Sequence, residues 1–198
     1  MKIVTLNVGG IHEAIHGMPN PYSSWDMSDS DEKSIGKKDK TLSQALSDRG
    51  PEHDKHLRLI VCWAEISAPR YWWTEFDTYR HGVEKISEST MHTIMRKPFT
   101  VNDFEGGHAI WYMEKLVEHL NVYREHYLTG AKTEEDKRLW WEHVIKLLPQ
   151  SYVQKRTVMM SYKAIQTMYK QREGHKLGEW AYFRSWAETL PESWMIKE

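Results

Sequence analysis

Residues 3–8 alternate, with Ile3, Thr5 and Asn7 set against Val4, Leu6 and Val8 ahead of Gly9-Gly10, and this predicts an opening strand followed by a turn. Its predicted partner is the apolar run at residues 57–66. Between them, residues 17–40 are rich in Gly, Pro, Asn, Ser and Asp, which predicts a loop-rich insertion and the most mobile segment of the chain. Residues 41–46 predict a short helix, capped by Thr41 or Asp39 and stopped at Gly50-Pro51. From Pro69 the pattern turns helical through Tyr79, and Gly82 ends it. Ile110, Met113, Val117, Leu120 and Tyr123 recur at spacings of three and four, predicting a helix over 109–127. Thr133-Glu134-Glu135-Asp136 marks the start of another, which runs to Leu148-Pro149. Val158, Tyr162, Ile165 and Tyr169 give a further stripe. Leu177, Trp180, Phe183, Ala187 and Leu190 give the last, stopped by Pro191. The predicted class is α+β, helix-dominated with a small antiparallel sheet.

Composition narrows this picture. A chain of 198 residues with 40% hydrophobic content suits one substantial core, so a single domain over 1–198 is expected. A net charge of -1 gives no field that would attract a nucleic acid polymer or an anionic membrane, so an anion site must be local and its ligand small. The single cysteine, Cys62, lies in an apolar run and reads as a buried hydrophobe in a reducing cytoplasm. No apolar run reaches the roughly 18 residues of a membrane span, and no signal-peptide pattern follows Met1; a cytoplasmic location is expected. Ten Trp and ten Tyr suit cores and subunit interfaces, or rings that stack on a base or an isoalloxazine, for which Trp72, Trp73 and Tyr79 are best placed.

Candidate chemistry concentrates in residues 79–92. Arg80 and His81 beside Gly82 suit a phosphate approached by backbone and gripped by a guanidinium; they equally suit a helix end, where cations favour the dipole and glycine stops the helix. Glu88, with Ser89 and Thr90, can accept from a sugar hydroxyl or a base, or form a helix cap. His53 with His56, and His12 with His16, lack the further ligands of a metal site, and none is expected. Lys155-Arg156 stands where a helix is predicted to begin, as an anion site or a solvated basic pair. Lys163 and Arg172 are nine residues apart on the predicted helix and should face opposite sides, excluding a shared site within one subunit. Dinucleotide-binding, phosphate-loop and nucleophile-elbow glycine patterns do not occur.

Residues 80–92 also resemble the signature of flavin-dependent thymidylate synthases, Arg-His-Arg-x-x-Ser-x-Asn-Glu-x-Ser-x-Arg. Without a gap, Arg80, His81, Glu88 and Thr90 fall on its arginine, histidine, glutamate and second serine, with Ser87 on its asparagine. Gly82, Lys85 and His92 replace an arginine, a serine and the final arginine. Gly50-Pro51-Glu52-His53, Ala68-Pro69, Leu148-Pro149, Tyr152, Lys155, Lys163, Arg172 and Gly178-Glu179-Trp180 follow the family's order over most of the chain. The resemblance implies a divergent, phage-type homologue and a homotetramer with sites between subunits. It implies FAD as cofactor, with NADPH and methylenetetrahydrofolate, and C5 methyl or hydroxymethyl transfer to a pyrimidine deoxynucleoside monophosphate such as dUMP or dCMP. It places His53, Arg80, His81, Glu88, Arg172 and His175 at the cofactor, and Asp77, Ser89, Thr90, His92, Lys155 and Arg156 at the substrate. The family's arginine that polarises the pyrimidine falls at Phe183 or, with a single insertion after Arg172, at Arg184. A non-catalytic nucleotide-binding or interaction protein on the same fold is the alternative.

Overall fold

A computed structural model describes residues 1–197. The strands are β1 (Lys2–Gly9), β2 (Val61–Pro69), β3 (Val83–Ser87) and β4 (Val153–Ser161), and they form one sheet in the order β1-β2-β4-β3. The sheet is antiparallel. Tyr162 N donates to Ile60 O (2.9 Å) and Arg70 N to Tyr152 O (3.0 Å), so β2 and β4 run in opposite directions. Ser161 N to Gly82 O (2.8 Å) and Glu88 N to Lys155 O (2.9 Å) give the same sense for β3 and β4. Helices account for most of the remaining structure, which is the helix-dominated α+β class expected from the hydrophobic pattern.

The chain divides into two compact units. One comprises residues 3–66, 78–86 and 157–198, and the other residues 1–2, 67–77 and 87–156. The first holds most of the sheet with helices α1 (Ile11–Gly17), α2 (Lys37–Asp48), α3 (His56–Leu59), α8 (Tyr162–Gln171), α9 (Gly178–Ala187) and α10 (Trp194–Lys197). Its core follows the strand alternation: Cys62, Ala64 and Ile66 of β2 and Val158 and Met160 of β4 are fully buried. Tyr162, Ile165 and Met168 of α8 and Trp180, Phe183 and Ala187 of α9 are buried with them, at spacings of three and four. Each such large side chain contributes about 1.5–3 kcal/mol on burial. Tyr162 Oη finds a partner in Pro191 O (2.6 Å), so its ring is buried without leaving the hydroxyl orphaned.

The second unit contains α4 (Arg70–Phe76), α5 (Thr90–Thr93), α6 (Met113–Glu125) and α7 (Glu134–Leu147). α6 and α7 enclose a core of Ile94, Met95, Phe99, Phe104, Met113, Leu120, Val144, Leu148 and Tyr152. Trp72, Trp73 and Phe76 lie on one face of α4 with ring centroids 5.0–5.3 Å apart, and all three are buried. Trp72 and Trp73 are therefore core side chains and cannot stack on a ligand. Trp73 Nε1 donates to Gln154 O at 3.0 Å.

Several boundaries differ from the pattern, each for a physical reason. α2 begins at Lys37, inside the expected loop, because the Asp29 carboxylate accepts from Lys38 N (3.0 Å) and Asp39 N (3.2 Å) and supplies the cap from eight residues upstream. Those amide bonds, Lys38 foremost, lower the Asp29 pKa. The buried Asp39 accepts from the hydroxyls of Ser28 (2.6 Å) and Ser30 (2.5 Å), so the serine-rich stretch is hydrogen-bonded to the helix it precedes. Residues 56–59 form α3, and the strand starts only at Val61. α4 ends at Phe76, six residues before Gly82, which precedes β3 with φ +70°. Val158 belongs to β4, and the expected helical stripe is split at Ser161, whose Oγ caps α8 by accepting from Ala164 N (3.2 Å). α7 has the expected start, a reciprocal capping box between Thr133 and Asp136. α6 begins four residues later than expected and passes into a π-helical turn, His126–Gly130. Among the described residues, no helix is long and apolar enough to cross a membrane.

Candidate functional site

The first unit contains a cavity of about 960 Å³ lined by Arg58, Tyr79, Arg80, His81, Lys163 and Arg172 together with Thr78, Ala164, Thr167 and Gln171. Four permanent cations and no carboxylate line it among the described residues, which is the charge pattern of a polyanion site. Arg80 and His81 are exposed, lie outside any helix, and make no ion pair or hydrogen bond among the described residues. They are not the end of a helix, since α4 stops at Phe76. Gly82, which follows them, is fixed by geometry: besides its positive φ, an added Cβ would sit 2.4 Å from Ser161 Oγ and 3.2 Å from Ser161 Cβ. The turn that presents Arg80 and His81 is thereby pressed against the first turn of α8.

Lys163 and Arg172 line this one cavity, contrary to the expectation from helical spacing. Arg172 is the residue after α8, outside the helical register, and its guanidinium folds back over the rings of Tyr79 (5.4 Å) and Trp180 (4.5 Å) while Nε donates to Tyr79 Oη at 2.9 Å. Lys163 is ion-paired with Asp54, whose side chain is wholly buried, and donates to Gln166 Oε1 at 2.9 Å. Gln166 in turn donates to Met195 O at 3.1 Å. Asp54 also lies 3.6 Å from the Arg58 guanidinium, so one buried carboxylate holds two of the cavity's cations. His56 stands near this pair with its pKa lowered to about 4. Burial is the main cause, the Lys163 charge adds to it, and the Asp54 carboxylate opposes it.

Of the other residues expected at the cofactor, His175 Nδ1 accepts from Leu177 N (3.1 Å) and its ring lies 6.3 Å from that of Trp180, in the same neighbourhood as Arg172. His53 lines a different cavity. Arg184 does not line the Arg80 cavity: its guanidinium lies over Tyr169 (4.4 Å) and donates to Glu173 Oε1 at 3.1 Å.

The second unit gathers part of the expected substrate set. Arg156 donates to both carboxylate oxygens of Asp77 (2.9 and 3.1 Å), lies 4.2 Å over the Trp73 ring, and donates twice to Gln154 Oε1 (3.2 and 3.0 Å). Gln154 Nε2 donates to Glu88 O (2.8 Å) and Thr90 Oγ1 (3.2 Å). Asp77, Thr90, Arg156 and the backbone of Glu88 thus form one network. Ser89 is the N-cap residue of α5, where its carbonyl accepts from Thr93. His92 lines a small cleft with Met91, Tyr127 and Trp141. Lys155 and Arg156 are mid-strand residues of β4, not the start of a helix, and as neighbours they project to opposite faces. Asp54, Arg58 and Gln154 were missed; the sequence signal for the first two was the charged run of residues 52–58 ahead of a strand, and Gln154 had none.

No family profile and no curated protein matches the chain in sequence. In structure the chain has the fold of a flavin-dependent thymidylate synthase. It is similar over its whole length to thymidylate synthase X (ThyX) from Helicobacter pylori with FAD and dUMP, at 16% identity, 98% coverage of that chain and a TM-score of 0.74. A second structure of the Helicobacter pylori enzyme, described as flavin-dependent thymidylate synthase ThyX complexed with FAD and dUMP, gives a TM-score of 0.75 at the same identity and coverage.

Proposed function

We propose that the chain is a divergent, phage-type homologue of the flavin-dependent thymidylate synthases. In this reading it binds FAD and transfers a methyl or hydroxymethyl group to C5 of a pyrimidine deoxynucleoside monophosphate such as dUMP or dCMP. The observation that carries this reading is the cavity of Arg58, Arg80, Lys163 and Arg172, four cations without a lining carboxylate, in a chain of this fold. The donor set fits FAD: guanidinium forks match diphosphate oxygens, and Tyr79 offers a ring at the same wall. Arg80, His81 and Arg172 would hold the cofactor, with His175 as a further contact. Bound in its reduced form, FAD would supply the hydride of the reaction, with NADPH as its reductant and methylenetetrahydrofolate as carbon donor.

The chain's own residues orient and polarise. Asp77, Arg156, Thr90 and Ser89 would position the nucleotide, with Lys155 and His92 at its phosphate. Arg184 would polarise the pyrimidine carbonyl after exchanging Glu173, an exposed partner held by a weak surface ion pair. The chain would act as a single domain, assembled as a cytoplasmic homotetramer with sites between subunits. Purified protein is expected to absorb in the flavin bands and to be stabilised by FAD and by dUMP or dCMP, by about 2.7 kcal/mol at a hundredfold excess over Kd. Protein that carries no flavin and melts unchanged with each of the three ligands sinks the reading.

A second reading, a non-catalytic nucleotide-binding protein, is favoured by Gly82, because its backbone has no room for the arginine of the family signature. A single-turnover assay with reduced flavin, methylenetetrahydrofolate and dUMP or dCMP separates the two. A C5-substituted product rejects the non-catalytic reading.

A further inference from the structure

Helix α8 buries Tyr162, Ile165 and Met168, and on the same helix the polar Gln166 is only 2% exposed. A primary amide is costly to bury unless both of its ends are bonded, and here both are. Its Oε1 accepts from Lys163 Nζ at 2.9 Å, and its Nε2 donates to Met195 O at 3.1 Å. The amide has one workable orientation, since turning it over would set Nε2 against an ammonium and Oε1 against a carbonyl. Resting on the reading of the Arg58, Arg80, Lys163 and Arg172 cavity as the cofactor site, we propose that Gln166 is a positioning residue: it aims Lys163 into that cavity and makes the aim depend on the docking of α10.

Lys163 precedes Gln166 by one helical turn, so the two side chains are neighbours on α8. An ammonium has three N–H donors. Asp54 and Gln166, both buried, take one each, and the remaining donor has no partner among the described residues in the cavity that Lys163 lines. A lysine stem held at one point swings, whereas two fixed acceptors set the direction of the third N–H. The second acceptor is only as fixed as Met195. The side chains of Met195 and Ile196 are buried, α10 packs on α8, and Tyr162 Oη, donating to Pro191 O at 2.6 Å, ties the preceding residues to the start of the same helix. One amide therefore joins the C-terminal helix to a cation of the site. By linkage, a polyanion that tightens Lys163 also tightens α10.

Gln166→Met keeps nearly the same volume and removes both bonds. Titration of the full chain with FAD and with inorganic pyrophosphate is expected to show both ligands bound about ten-fold more weakly by this variant. In a Lys163→Gln background the same substitution should change neither affinity, because no ammonium is left to aim; a loss of packing alone would weaken binding in both backgrounds. Hydrogen exchange gives the reciprocal readout. Saturating FAD should slow exchange of the Met195, Ile196 and Lys197 amides more than that of the α2 amides in the wild-type chain, and should not do so in Gln166→Met. Unchanged FAD affinity in Gln166→Met, or an equal further loss in the Lys163→Gln background, overturns the proposal and leaves the cofactor reading standing. A wild-type chain that binds neither FAD nor pyrophosphate overturns both. Should a variant fail to fold, exchange in the wild-type chain decides, and α10 amides that FAD slows no more than those of α2 overturn the proposal.

Discussion

Two arginines that the sequence treats alike, Arg80 and Arg156, are held in opposite ways. Arg80 stands at a cavity without a carboxylate and makes no ion pair among the described residues. Arg156 is saturated: a carboxylate takes one nitrogen, an amide oxygen takes two, and an indole covers its face. Charge left open in a concave site is available to a ligand, whereas charge already neutralised orders the backbone around it. A ligand at Arg156 must compete with Asp77 or be added beside it; a ligand at Arg80 displaces only water.

The sharpest way to break this contrast is to remove what holds the open cations in place. Asp54→Ala leaves Lys163 and Arg58 without their shared buried carboxylate and is expected to destabilise the fold by about 3–5 kcal/mol in urea titration. Retained stability would show that the carboxylate does not anchor them. Close in size is a pH effect from the buried histidine near that carboxylate. Because burial lowers the His56 pKa to about 4, the unfolded chain takes up a proton between pH 6.5 and 4 that the folded chain refuses. Stability is thus full above pH 6.5 and is lost as pH falls towards 4, by on the order of 3 kcal/mol. The slope of melting temperature against pH should flatten in His56→Gln.

Gly82→Arg, which introduces a cation at this turn, is expected to cost about 2 kcal/mol through the positive φ and the contact with Ser161. It should not raise flavin affinity. The smallest effects test the pair directly. Arg80→Ala should weaken FAD binding by about ten-fold with the ligand-free melting temperature unchanged, while Arg156→Ala should lower that temperature through a loss of about 1–2 kcal/mol. If both variants behave alike, the distinction between open and saturated arginines fails.

Elements whose cause is local were legible in the sequence. α7 announces itself by Thr133 and Asp136, and α9 by an apolar stripe that no partner needs to complete. The first turn of α2 was hidden because its cap, Asp29, lies in a stretch that reads as loop. β4 and α8 merged into one stripe because Val158 and Tyr162 are four apart, a spacing shared by a helix and by a strand that runs into one. In the site, Arg80, His81 and Arg172 were legible through the order of the signature and the landmarks after it. The roles of Asp54 and Gln154 were not, because each depends on partners far away in the chain: Asp54 meets Lys163 from 109 positions away, and Gln154 meets Glu88 from 66.

The contact between Gly82 and Ser161 also constrains how such a chain can change. Once Ser161 caps α8 and its side chain fills the space over residue 82, glycine is the one residue that fits there without displacing the cap. An arginine at 82 would require a smaller residue at 161, and that change alone gives up the cap. The two positions are therefore coupled: a side chain at 82 and the Ser161 cap of α8 exclude one another.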